Sequence, residues 1–269
     1  MTIATGQATF AFSNTAVNPL NLNAGVTTQA TGSSFLVFTR TNSDSPTSVT
    51  DNKSNTYTKI GGPYTDTSDG FSVNVYLATN GTGGAGHTWA VNYSGTRSGS
   101  AHAVEITGGA STSLLDAIAG FYRTTSTPFS GPVTTTKAPD LIVGFIATGS
   151  GGAETMTSSL LTTSVSSNTN GANVGPSQVS CVRVTSASTY DPNWATTSGY
   201  SQAVVVTLGL VESGGAGGTR QGHLPLLGVA MAPLAWVIDR RSKLTLKREL
   251  SQDQKSRIFL PNYRKAARR

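Results

Sequence analysis

The chain has 269 residues, of which only 12% are charged, and its formal net charge is +6. This length is enough for one large β domain or two small ones, and such a domain can form a hydrophobic core without disulfide staples. The single cysteine, Cys181, excludes an intrachain disulfide framework and is expected to be a buried free thiol. Abundant Thr, Ser, Gly and Asn favour strands and turns over helices.

Short β-prone segments separated by polar turns follow one another through residues 1–212. We predict about nine strands, in chain order at Ala8–Phe12, Gly32–Thr41, Val49–Ile60 (as a hairpin of two pieces), Phe71–Leu77, His87–Tyr93, Ala101–Thr107, Asp140–Ala147, Gln178–Val184 and Tyr200–Leu210. Leu114–Ala119 is interpreted as a helical turn or a loop, and Thr148–Ser177 as loops with an edge strand. The predicted fold class is therefore all-β, an antiparallel β-sandwich or jelly roll with a C-terminal extension.

Three segments resemble a β-sandwich module that recurs in phage virion proteins and bacterial surface proteins. They are Ser33–Phe38, Val49–Thr58 and Ala101–Gly109, and Ala203–Leu208 fits the end of the module. In that family the second segment usually reads Asp, two residues, Gly-Asn and then a Thr/Tyr run, and Ser54 stands here at the glycine position. The resemblance covers roughly residues 30–212 and implies a structural or adhesive module without catalytic residues.

Asp51 and Asn55 lie in the second of these segments. Side chains of these types hold tight turns by hydrogen bonding to nearby backbone groups. We prefer this turn role to the alternative of Ca²⁺ binding. Asp66–Gly70 lacks the full ligand pattern of a calcium loop and is likewise predicted to be a turn.

Sequence motifs of the common enzyme classes are missing, so no catalytic residue, cofactor or metal is predicted. His87 and His102 are expected to be surface or strand-end side chains rather than a metal pair. Glu105, Asp116 and Asp140 are candidates for the paired carboxylates of a glycosidase, but sequence does not fix their separation.

Trp194, in the segment Tyr190–Trp194, is predicted to be loop-borne and is the best exposed candidate for stacking on a sugar, together with Tyr190. Trp89 is instead expected in the core. A glycan contact would therefore be sought at the Tyr190–Trp194 loop.

The charge changes sign along the chain. Residues 1–219 hold seven Lys and Arg against ten Asp and Glu, a net charge of −3, whereas residues 220–269 hold twelve against three, a net charge of +9. A Gly-rich segment separates the two parts, and such segments act as flexible connectors. We therefore predict a β-sandwich domain over 1–212, a hinge over 213–219 and a basic and apolar C-terminal arm over 220–269.

The arm begins with an apolar window, Leu224–Ile238, followed by basic residues. Its fifteen residues fall short of the roughly 20 that a membrane-spanning helix needs, and Pro225 and Pro233 interrupt it. Burial against protein is therefore favoured over a membrane. The predicted anchoring residues are Leu224, Leu226, Leu227, Val229, Leu234, Trp236, Val237, Ile238, Arg240, Arg241, Ile258, Phe259, Leu260 and Tyr263.

These features predict a non-enzymatic virion structural protein, such as an auxiliary capsid, decoration or tail-associated protein. Its expected partners are other virion proteins, which the arm contacts, in a homo-oligomer or in symmetric repeats on a particle. Nucleic acid is a less favoured partner of the basic residues. Two alternatives are a carbohydrate-binding adhesin and a surface protein anchored by its hydrophobic segment. Met1–Gly6 shows no secretory signal, so synthesis in the host cytoplasm and location in the virion are expected.

Overall fold

A computed structural model describes residues 1–42, 45–124, 127–149, 153–169, 174–197 and 202–214. Over these ranges the chain is all-β and antiparallel, which confirms the predicted fold class. No helix within these ranges is long and apolar enough to cross a membrane. The predicted arm lies outside the described residues, as do residues 215–219 of the hinge.

Seventeen strands are formed by the described residues, more than the nine predicted. They are β1 (Ala4–Val17), β2 (Leu20–Val26), β3 (Thr31–Asn42), β4 (Ser48–Asp51), β5 (Thr58–Asp66), β6 (Phe71–Thr82), β7 (His87–Asn92), β8 (Arg97–Thr107), β9 (Leu115–Arg123), β10 (Val133–Thr134), β11 (Asp140–Thr148), β12 (Met156–Ser158), β13 (Thr163–Asn168), β14 (Ser177–Val184), β15 (Thr189–Tyr190), β16 (Trp194–Thr196) and β17 (Ala203–Val211).

Two five-stranded sheets form the sandwich. The front sheet has the order β1-β8-β3-β6-β5, and the back sheet has the order β13-β14-β11-β17-β9. Their facing sides share one buried cluster, in which Phe38 of β3 stacks on Phe145 of β11 with ring centroids 5.0 Å apart. The predicted strands Gly32–Thr41 and Asp140–Ala147 are thus confirmed as the central strands of the two sheets.

Each main sheet is also covered on its outer side. A three-stranded sheet, β2-β7-β4, packs over the front sheet around Phe35, Val37 and Trp89. The strand pair β12-β16 packs over the back sheet around Ile142 and Trp194. Strands buried on both faces require apolar residues at successive positions. This double burial explains the uninterrupted apolar runs of β3, β11 and β17.

Two predicted elements differ from the structure. The segment Val49–Ile60 is not a hairpin, because β4 pairs with β7 in the outer sheet while β5 pairs with β6 in the front sheet. Leu114–Ala119 is neither a helical turn nor a loop, because residues from Leu115 onward form the edge strand β9. The edge strand expected within Thr148–Ser177 is confirmed as β13.

The sandwich has two distinct ends. At the end that we call the terminal end, Glu212 bridges to Gly109 and its carboxylate accepts the Ile3 N–H, and the Ser213 N–H donates to the Gly108 carbonyl. At the opposite end, which we call the loop end, Ser68 contacts Tyr122. Residue 214 therefore leaves the sandwich at the end farthest from the β5–β6 turn.

Candidate functional site

The turn from Asp51 to Asn55 is organised by one carboxylate. Asp51 ends β4, and its Oδ1 accepts the backbone N–H groups of Lys53 and Asn55, both at 3.0 Å. These bonds confirm the predicted turn role of Asp51. The Asn55 side chain then clamps the turn onto the end of β6, because its Oδ1 accepts the Thr82 N–H and its Nδ2 donates to the Thr82 carbonyl, both at 2.8 Å.

The second oxygen of Asp51 collects three side-chain donors. Asn55 Nδ2 lies 2.7 Å away, Tyr57 OH 2.8 Å and His87 Nε2 2.9 Å. Burial by itself raises the pKa of Asp51, but the hydrogen bonds from His87, Asn55 and Tyr57 outweigh it and hold that pKa at about 2. The group is therefore an enclosed carboxylate at neutral pH, and Tyr57 in turn accepts the Trp89 indole N–H at 2.7 Å.

His87 connects this carboxylate to a hydroxyl. Its Nδ1 lies 3.1 Å from Thr28 Oγ1, which accepts the Gly84 N–H at 3.0 Å. Because a carboxylate only accepts hydrogen bonds, the Nε2–H of His87 donates to Asp51. The Thr28 hydroxyl, the His87 imidazole and the Asp51 carboxylate thus form one chain of hydrogen bonds.

This chain of hydrogen bonds has the components of a nucleophilic triad, but its hydroxyl and imidazole are buried. His87 is fully buried and Thr28 is 4% exposed. A Cβ on Gly83 would overlap the Thr28 hydroxyl, so backbone is packed directly against it. These hydrogen bonds join β4, β7 and the segment before β3.

Sequence reasoning found Asp51 and Asn55 but missed Thr28 and His87 as their partners. The spacing of Asp51, Asn55 and Tyr57 was a usable signal, because the three residues lie within seven positions of the sequence. His87 is separated from Asp51 by 36 positions, and only the pairing of β4 with β7 brings them together.

The three candidate carboxylates are divided between the two sheets. Glu105 lies on β8 of the front sheet, where it accepts the Gln7 and Gln29 N–H groups and the Ser33 hydroxyl at 2.7–3.0 Å. Asp116 and Asp140 belong to the back sheet. The structure therefore separates Glu105 from the other two.

Asp116 and Asp140 interact as a pair. Asp116 accepts two bonds from Thr136 and one from the Lys137 N–H. Burial, followed by the nearby Asp116 charge, raises the pKa of Asp140 to about 7, and neither oxygen of Asp140 has a hydrogen-bond donor among the described residues. Asp140 is therefore protonated below about pH 7, while Asp116 is a carboxylate there.

His102 is not a surface or strand-end residue, which corrects the expectation. It lies within β8, fully buried, with Nδ1 and Nε2 each 2.8 Å from the hydroxyls of Ser166 and Ser177. Burial lowers its pKa to about 3, so the imidazole is neutral. Cys181 is confirmed as a buried free thiol and Trp89 as a core residue.

The expectation that Trp194 is an exposed loop residue is wrong. Trp194 begins β16, its side chain is fully buried, and its backbone pairs with Phe129 in both directions. The outer cover of the back sheet buries the indole. Tyr190 lies in β15, is partly exposed and bonds to Ser186 through its hydroxyl.

The predicted anchoring residues of the arm, from Leu224 to Tyr263, lie outside the described residues. Over residues 1–214, with the gaps given above, no group of three or more His, Cys, Asp or Glu side chains is arranged to hold a metal ion.

Comparison of the chain with protein-family models, with curated proteins and with solved structures gives no match.

Proposed function

We propose that the chain is a non-enzymatic structural protein of a phage virion, an auxiliary capsid, decoration or tail-associated protein. Residues 1–212 are the displayed β-sandwich, and residues 220–269 attach it to other virion proteins. The proposal rests on one observation. The described chain leaves the sandwich at the terminal end, which is opposite the loop end.

Two contacts fix the point where the chain leaves. The Ser213 N–H donates to the Gly108 carbonyl at 2.8 Å, and Glu212 binds Arg183 at 2.7 Å. A segment attached here can be held by a particle while the loop end faces away from it. This arrangement suits display, since attachment and presentation use opposite ends of one rigid body.

The use of the ionisable groups also supports a structural role. Asp51, Glu105 and His102 are enclosed, and each has hydrogen-bond partners that tie separate strands or layers together. Residues of these types are the ones that catalysis recruits when they line a cleft. Here they stabilise the contacts between the elements of the sandwich.

The composition of residues 220–269 supports attachment by that segment. Its net charge of +9 favours docking on an acidic surface, with an association rate that falls as salt rises. Burying a few hundred Å² of apolar surface from Leu224–Ile238 would contribute several kcal/mol at about 25 cal/mol per Å². Repetition on a symmetric particle would add avidity.

Removal of the arm tests the proposal. We expect the full chain to co-sediment with particles from cells that produce it, in a fixed copy number measured by mass spectrometry. A chain ending at Gly214 is expected to remain in the supernatant with an unchanged melting temperature. A matched pair separates specific attachment from charge alone: Trp236→Ser should reduce incorporation at every salt concentration, whereas R240Q/R241Q should reduce it mainly at low salt. Equal incorporation of the truncated and full chains would refute the proposal.

A further inference from the structure

Strand β1 is an edge strand with register irregularities at Thr5–Ala8 and Ser13–Val17 and a regular stretch between them. It is the outermost strand of the front sheet, and within the described residues β8 is the only strand with which it forms a backbone ladder. Its 14 residues, Ala4–Val17, include no Lys, Arg, Asp, Glu or Pro. Soluble proteins normally place such residues on an edge strand to prevent pairing with another chain. Over the regular stretch Ala8–Ser13, no second strand among the described residues pairs with the outer side of β1.

Two aromatic side chains on this strand are partly exposed to solvent, and the ring of Phe10 also stacks on His102 with centroids 5.8 Å apart. Phe10 is 41% exposed and Phe12 is 37% exposed, and apart from Met1 they are the only exposed large hydrophobic side chains among the described residues. Being two positions apart, they lie on the same face. The register with β8 is unbroken from Ala8 to Ser13, so both belong to a regular stretch of strand.

We propose that β1 pairs antiparallel with β1 of a second copy of this chain, with the two-fold axis at Ala11. Such an axis, perpendicular to the sheet, places each Phe10 directly opposite Phe12 of the second copy. Two cross-strand aromatic pairs form at once, and directly opposite side chains are the pairs that stabilise a sheet. The two front sheets then continue into one ten-stranded sheet.

The charge of the strand favours a second copy over other occupants. An acidic or basic partner finds no opposite charge on Ala4–Val17, whereas a second β1 brings an equally uncharged strand and the matching aromatic residues. A self-complementary surface of this kind is what a two-fold interface requires. The inference does not depend on the proposed function, because it concerns residues 4–17 alone.

Cysteine crosslinking of the full chain tests the register. In the proposed pair the two Ala11 Cα atoms lie about 4.5–5.5 Å apart, within the span of a disulfide. The two Ala16 positions are ten residues apart along the strands, roughly 34 Å. We therefore expect mild oxidation to give a covalent dimer of Ala11→Cys and none of Ala16→Cys. The native chain is the control for Cys181, which is buried.

A charge exchange tests the same register without crosslinking. Phe10→Lys with Phe12→Glu places opposite charges across the axis, whereas Phe10→Lys with Phe12→Lys places like charges there. We expect sedimentation equilibrium to show self-association at least about tenfold weaker for the second variant than for the first. Both sites are exposed, so a melting temperature within a few degrees of the native value should verify the fold of each. No covalent dimer of Ala11→Cys, equal crosslinking of Ala16→Cys, or equal association of the two charge variants would overturn the proposal.

Discussion

At the level of one residue, Ser54 has a backbone conformation that glycine adopts more readily. Its φ of 61° lies in the left-handed region, where a side chain costs about 1–2 kcal/mol relative to glycine. The hydrogen bonds of Asp51 and Asn55 on either side hold the backbone there. The strain at Ser54 is thus imposed by the turn.

We expect Ser54→Gly to raise the free energy of unfolding by about 0.5–1 kcal/mol, because glycine adopts the left-handed conformation without a steric cost. Urea denaturation at pH 7 measures the change. Lys53→Gly is the matched control, since Lys53 is in the same turn but has no positive φ, and it should lower stability. A loss of stability in both variants would contradict the assignment of strain to position 54.

Which residue contacts could be predicted depended on their separation in the chain. The Asp51–Asn55 turn was predictable because its donors and acceptors lie within four residues. The Thr28–His87 bond was not, because it spans 59 positions and depends on strand pairing. Trp194 was misplaced because Pro192 and Asn193 indicate a loop, and the backbone pairing with Phe129 that buries the indole has no local signal.

At the level of elements, β5 and β9 close one side of the sandwich through two glycines. The ring of Tyr64 on β5 lies where a Cβ on Gly120 of β9 would be, and the side chain of Ile118 on β9 lies against Gly61 of β5. Each glycine thus leaves space for a large side chain from the facing edge strand. The two sheets approach closely here because Gly61 and Gly120 have no side chains of their own at the contact.

We expect Gly120→Ala to lower the free energy of unfolding by about 1–3 kcal/mol, because the added methyl group overlaps the Tyr64 ring. Ala117→Ser on the same strand is the control and should change it by less than about 0.5 kcal/mol. Guanidinium denaturation followed by tyrosine and tryptophan fluorescence measures both. A second substitution, Tyr64→Ala, should make the first nearly neutral if the two residues act on each other.

Strand identities were easier to predict than strand partners. Apolar runs predicted β3, β11 and β17, since double burial leaves a strong sequence signal, and the alternation of Phe71–Leu77 predicted β6. The partly buried residues of β9 show no alternation, so Leu115–Arg123 carried little signal. The false hairpin at Val49–Ile60 arose because segments adjacent in the chain enter different layers, which local patterns do not encode.

For the whole molecule, two buried groups make stability depend on pH in opposite directions. The pKa of His102 is lowered to about 3, so the unfolded chain binds a proton there first, and stability falls as pH drops from about 6.5 towards 3. The pKa of Asp140 is raised to about 7, so the folded chain keeps that proton, and stability falls as pH rises from about 4 through 7. Between about pH 4 and 6.5 the two effects oppose each other, so their sum changes little there and stability falls on either side of that range.

Replacement of Asp140 isolates one of these effects. Asparagine resembles the protonated acid, so Asp140→Asn should raise the free energy of unfolding at pH 8 by up to about 4 kcal/mol, the equivalent of three pKa units, and by little at pH 4. Urea denaturation at both pH values measures it. Asp140→Ala serves as the control that removes the carboxyl group without replacing its volume. An equal gain for Asp140→Asn at pH 4 and pH 8 would show that ionisation is not the cause.

The route by which the chain leaves the sandwich has a mechanical consequence. β17 ends at Val211 beside the terminal end, and it is hydrogen-bonded along its length to β11 on one side and β9 on the other. A pull applied at residue 214 and resisted at the loop end therefore runs along the axis of β17. The hydrogen bonds between β17 and its two neighbouring strands lie perpendicular to that axis. They would be loaded together in shear rather than opened one after another, the geometry in which a sheet resists force best.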